Sequence, residues 1–154
     1  MKKYIFILSG LLLLFNCAGY QRIPPEEAQL QKIYELQGMT KDVIFDKTLA
    51  WLAETFGSSK SVIELRDRQN GKIIGNGVMR KTKMVGHSCR FTMIIDIKHS
   101  RIRITLKNLR AMIGEDLRTT RPMQYRYEMD PMKPKLVEFC DNLYHYLKNQ
   151  KEDW

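Results

Sequence analysis

The 154-residue chain has only three cysteines, three histidines, five prolines and nine glycines, and no apolar run long enough to cross a bilayer. So little proline and glycine excludes collagen-like and low-complexity architectures. Cysteines at 17, 89 and 140 alone exclude a disulfide-dense scaffold. His87, His99 and His145 are far apart, and no His or Cys pair has ligand spacing, so neither a metal centre nor a cofactor is expected. Acid is also scarce: 17 Asp and Glu against 26 Lys and Arg give a formal +9, which biases the folded surface toward anionic neighbours. What remains, 44% hydrophobic and 28% charged, is the composition of one globular domain, and it names no reaction.

The apolar run that is present begins after Met1-Lys2-Lys3 and extends from Tyr4 to Phe15, interrupted by Ser9 and Gly10. A span requires roughly 20 such residues, whereas this length suits a secretory signal core. It ends in Leu14-Phe15-Asn16-Cys17, which resembles the signal of bacterial lipoproteins, with Leu three residues before the cysteine. The resemblance implies that residues 1–16 are removed and that Cys17 carries fatty chains, palmitate among them, at the mature N-terminus. An ordinary cleaved signal and an uncleaved anchor remain open. Acylation of Cys17 would leave Cys89 and Cys140, either as a disulfide or as two small buried apolar residues. Two or three chains hold a protein at a membrane far more firmly than one, because each buried methylene contributes about 0.8 kcal/mol. Ala18-Gly19 lacks acid after the cysteine, which points to the outer membrane.

Losing Lys2 and Lys3 lowers the formal charge only to +7, so the basic character belongs to the domain. Residues 17–27, with Pro24-Pro25, read as the lipidated cysteine and a stiff tether, 28–149 as the folded domain, and 150–154 as a polar tail. A strand is expected from Ala28 to Leu36. Thr40 is placed to cap a helix whose apolar face includes Ile44, Phe45, Leu49, Trp51, Leu52 and Phe56, and Gly57 is placed to end it. Strands follow at 61–66 and 72–82 around the Asn70-Gly71 hairpin signal, then at 89–98 and 101–107. Ala111 to Met129 reads as a surface excursion with at most a short extra element. Pro131 and Pro134 are expected to open a last helix with the stripe Leu136, Cys140, Leu143 and Leu147. Strand, helix, four antiparallel strands and helix make an α+β fold, a single sheet with both helices on one face.

Leu49-Ala50-Trp51-Leu52, Gly71-Lys72-Ile73-Ile74-Gly75-Asn76-Gly77 and Arg101-Ile102-Arg103-Ile104-Thr105 resemble a bacterial family of exported proteins, a domain of unknown function with a TATA-binding-protein-like (TBP-like) fold. The likeness covers Gly38 to Arg110, with Leu109 where an aromatic is expected. It implies a curved antiparallel sheet backed by helices and carries over no catalytic residue.

Constellations that suggest chemistry are weak. Gly86-His87-Ser88-Cys89-Arg90 approaches a nucleophile elbow, but Arg90 replaces the last glycine and the string lies between strands. His87 is two positions from Cys89 in a loop-to-strand segment and reads as a polar turn residue. Gly75-Asn76-Gly77 is followed by strand, not by the helix a phosphate loop needs. The defensible candidate is the polar sheet face, where Arg90, Lys98, Arg101, Arg103 and Lys107 alternate outward with Thr92 and Thr105. The expected partners are the membrane, through the lipid, and an anionic envelope component or an acidic protein. Two other classes stay open: a nucleic-acid-binding sheet if the signal is misread, although stacking aromatics are missing from that face, and a small enzyme using carboxylates such as Asp96 and Glu64. Nucleic acid is not expected for an exported chain.

Overall fold

The computed structural model describes residues 21–57, 62–80, 87–113 and 119–149, so Cys17 and the signal segment lie outside the described residues. Strand β1 (Leu30–Glu35) leads into helix α1 (Lys41–Phe56). Thr40 is extended at φ −74°, and its hydroxyl accepts from the Val43 N–H at 3.4 Å. Gly57 closes the helix in the left-handed region at φ 69°. Ile44, Phe45, Thr48, Trp51 and Leu52 are the buried face, and each large apolar side chain removed from water contributes about 1.5–3 kcal/mol.

Strands β2 (Ile63–Asp67), β3 (Lys72–Met79), β4 (Ser88–Lys98) and β5 (Arg101–Ile113) follow, joined as antiparallel neighbours. The β2–β3 turn forms because Gly71 takes φ 63° and Asp67 accepts from the Asn70 backbone N–H at 3.0 Å. A further strand, β6 (Thr119–Pro122), precedes the last helix α2 (Arg126–Asn149). The sheet therefore has six strands in the order β1-β5-β4-β3-β2, with β6 also on β5. Five strands, not four, follow α1. β1 pairs with Arg101 to Leu106 and β6 with Arg110 to Ile113, so one long strand serves two short ones.

Both helices cover one face. Phe91, Met93, Ile95, Ile97, Ile102, Ile104 and Leu106 are buried there against Trp51 and Leu52 of α1 and Met132, Leu136, Cys140 and Leu143 of α2. Phe139 of α2 meets Phe91 and Trp51 edge-on at 5.6 and 5.1 Å, which ties the two helices to the sheet. Tyr34 of β1 stacks on Tyr144 at 4.7 Å and donates a hydrogen bond to Asp141. Cys89 and Cys140 are free and buried, so the small-apolar reading holds and the disulfide does not.

The expected surface excursion at 111–129 instead holds the end of β5, then β6 and the first turn of α2. The helix starts at Arg126 and not at the prolines. Tyr125 C=O accepts from the N–H groups of Glu128 and Met129, and Glu128 accepts from the Gln124 N–H at 3.2 Å. Pro131 and Pro134 then lie inside α2 and only remove N–H donors that would have met the carbonyls of Tyr127 and Asp130, on an exposed flank. The late part of the expected tether is also docked. Arg22 bridges Tyr125, Ile23 N–H donates to Gln124 C=O at 2.9 Å, and Arg126 N–H donates to Gln21 C=O at 3.0 Å.

Candidate binding face

The uncovered face of the sheet carries the candidates. Strand register places Lys98 opposite Arg101, Asp96 opposite Arg103, Thr92 opposite Lys107 and Arg90 opposite Arg110, all on that side. The face is less positive at its centre than alternation implies. Arg101 Nε lies 2.8 Å from Glu35 Oε1 across β1, and Arg103 reaches Asp96 Oδ2 at 2.8 and 3.1 Å, with Lys72 Nζ 3.6 Å from the other Asp96 oxygen. Arg90, Lys98 and Lys107 form no ion pair among the described residues. Ile74, Ile94 and Leu65 run across the same face as a partly exposed apolar band.

Beside the band, a row of neutral polar groups crosses three strands and ends on a carboxylate of a fourth. Asn108 Nδ2 donates to Thr92 Oγ1 at 3.4 Å, Thr92 Oγ1 donates to Asn76 Oδ1 at 3.1 Å, and Asn76 Nδ2 donates to Glu64. Glu64 is thus a structural acceptor. It lies two strands from Asp96, roughly 9.6 Å at 4.8 Å per strand, and two to three residues further along the sheet, so the two carboxylates do not converge. Among the described residues no group of three His, Cys, Asp or Glu could hold a metal ion. Cys89 points into the core, where burial pushes its thiol up to about 11, the opposite of an activated nucleophile.

The row ends at a bulge. The β4–β5 register shifts between Arg90 and Thr92, where Asn108 takes φ 53°. Leu109 and Ala111 consequently turn into the core, and Arg110 turns outward beside Arg90. Arg110 is held by β6: its Nε donates to Thr120 Oγ1 at 2.8 Å and its Nη2 to Thr120 C=O at 3.0 Å. Arg80, past the end of β3, joins them around an open groove of about 1470 Å³, which continues past the edge of β3 to Phe56 at the end of α1. Sequence reasoning missed Arg110 because it ended the last strand at Lys107 and so assigned position 110 to no face of the sheet. The signal was present in the apolar spacing Leu106, Leu109, Ala111, whose three-residue step marks one extra residue in the strand. No Phe, Tyr or Trp projects from this face of the strands among the described residues.

A family model described as a domain of unknown function (DUF4468) with TBP-like fold matches residues 31–111. The crystal structure of a TBP-like protein from Parabacteroides distasonis superimposes with a TM-score of 0.62 at 11% identity, over 80% of this chain and 94% of that one. A DUF4468 family protein from Bacteroides ovatus gives 0.58 at 14% identity, over 86% and 93%. At these identities the two likenesses speak for the fold alone. No curated protein matches the sequence.

Proposed function

The chain belongs to the DUF4468 family, a domain of unknown function with TBP-like fold, and from its own residues we propose that it is a lipid-anchored, non-catalytic binding module of the bacterial cell envelope. The observation that carries this reading is the N-terminal string: two lysines, an apolar core too short to span, and Leu14-Phe15-Asn16-Cys17. Cys17 is the acylated residue and the outer membrane its home. Among the described residues no helix is long and apolar enough to cross a membrane. The uncovered basic sheet face is the binding surface, and its partner is an anionic envelope component. Glu64 is taken up by Asn76, and Asp96 by Arg103 and Lys72, so these two carboxylates of that face serve as partners to neighbouring side chains, which supports binding over catalysis.

Metabolic labelling with palmitate followed by fractionation tests the address. The chain is expected to take up label and sediment with the outer membrane, and Cys17→Ala to lose both properties. An unlabelled chain that keeps Met1 and stays in the cytosol would overturn the proposal. It would also restore the sheet as a nucleic-acid surface, the reading that a TBP-like fold otherwise favours.

A further inference from the structure

Resting on the reading of a binding module, we propose that the bulged end of the sheet, where Arg90 faces Arg110 beside Arg80, is a site for a phosphoryl group. Like charges placed directly opposite on neighbouring strands repel and destabilise the pair. On β5 the chain relieves two outward arginines of this problem, giving Arg101 the carboxylate of Glu35 and Arg103 that of Asp96. At the bulge it places two guanidinium groups in register and gives neither an acid among the described residues. A bound anion would supply the countercharge that the described residues do not place there.

The geometry is built for capture. Arg110 is fixed by two hydrogen bonds to Thr120, which leave its Nη1 for a ligand and reduce the ordering cost of binding. The bulge that turns Arg110 outward also sets Asn108 beside Thr92, where the second amide hydrogen of Asn108 Nδ2 adds a neutral donor at the rim. The open groove lined in part by Arg80, Arg90, Arg110, Asn76, Thr92 and Asn108 leaves room for the group bearing the anion. A carboxylate offers one charge and two oxygens, enough for one guanidinium fork. A phosphoryl group, with up to two charges and three terminal oxygens, can satisfy several. The same end of β5 carries β6 and the docked residues 21–23, so headgroup phosphate and soluble phosphorylated compounds are both within reach of a chain anchored at Cys17.

The test is calorimetric titration of the full chain in nonionic detergent with inorganic pyrophosphate at fixed ionic strength. Arg90→Gln and Arg110→Gln should each weaken binding at least tenfold, while Arg101→Gln and Arg103→Gln, which remove the same charge, should change it less than twofold. No binding at millimolar pyrophosphate, or equal weakening by all four variants, would overturn the site. Because Arg110 also holds β6, Arg90→Glu provides a second readout. It should abolish binding and raise the melting temperature in anion-free buffer, since repulsion becomes a cross-strand pair; a lower melting temperature would count against the proposal. In the source arm, bicelles containing phosphatidic acid, whose headgroup is a phosphomonoester, identify a headgroup ligand if they displace pyrophosphate, and failure to displace it identifies a soluble phosphorylated one. Pyrophosphate binding does not depend on acylation, so an unlabelled chain that binds would sink the address and spare the site, and a labelled chain that does not bind would do the reverse.

Discussion

Glu128 sits at 1% exposure in the first turn of α2, where its carboxylate is held by Arg121 Nη2 at 2.5 Å and by the Gln124 N–H. The hydrogen bond to Glu128 raises the Arg121 guanidinium above its ordinary pKa, so Arg121 stays charged throughout the working range. Arg121 is itself 43% exposed, which makes the two deletions unequal. Arg121→Ala leaves a buried carboxylate without its cation, and urea unfolding should show a loss of about 2–4 kcal/mol. Adding Glu128→Gln should recover part of that loss, and a loss below about 0.5 kcal/mol would mean the pair is not a support. The two core thiols make a pH prediction. Burial pushes Cys89 up to about 11 and Cys140 up to about 12, whereas an unfolded thiol ionises near about 8.5. The folded chain therefore holds its thiol protons where the unfolded chain has released them. Stability should be flat below pH 8 and then fall as pH rises through 9 and 10, by up to about 1.4 kcal/mol per unit for each thiol. Urea midpoints at pH 8 and 9.5 measure this, and replacing both cysteines with Ala should flatten the difference.

Among the elements, strand β3 depends on a missing side chain. A Cβ on Gly77 would meet Phe91 Cζ at 2.4 Å and Cε2 at 2.8 Å, and that ring cannot swing away because Phe139 packs edge-on against it. Gly77→Ala should cost about 1–3 kcal/mol in thermal or urea unfolding. Combined with Phe91→Leu it should cost clearly less than the two single losses added, and simple additivity would show that the ring is not the obstacle. α1 was legible to the residue because Thr40 and Gly57 act locally, and the first hairpin was legible because Asn70-Gly71 does too. β6 was not, since four residues hold no periodicity and the strand exists only through pairing with Arg110 to Ile113. Pro131 and Pro134 misdirected the start of α2 because they carry a local helix-opening signal, whereas the true start depends on Glu128, Arg121 and the docked Gln21. The binding face was half legible. Alternation assigned Arg101 and Arg103 to the right side, but their neutralisation by Glu35, 66 positions from Arg101, and by Asp96 on the paired strand is a matter of strand order. The bulge hid Arg110 for the same reason that it creates the site.

At the scale of the whole molecule, the sheet has two unlike ends. β5 spans 13 residues, about 40 Å at 3.3 Å per residue. At its start, Gly71, Leu36 and Met39 close the turns through Ile97 and Ser100, with hydrogen bonds of 2.7 to 3.0 Å. At its other end lie the arginine groove, β6 and the docked segment from Gln21 to Ile23. Four steps separate Cys17 from Gln21, at most about 14 Å of chain, so acylation of Cys17 would hold the arginine end next to the bilayer and leave the Asn70 hairpin distal. That orientation would concentrate headgroup phosphate at the groove, within roughly one or two Debye lengths of the surface at physiological salt. It can be measured because the buried Cys89 and Cys140 resist alkylation, so a fluorophore can be placed selectively at Gln124→Cys or Asn70→Cys. In vesicles carrying the acylated chain, quenching by spin-labelled lipid should be strong at position 124 and weak at position 70. Equal quenching would show that the short tether does not orient the domain, and stronger quenching at 70 would place the arginine groove on the side away from the membrane.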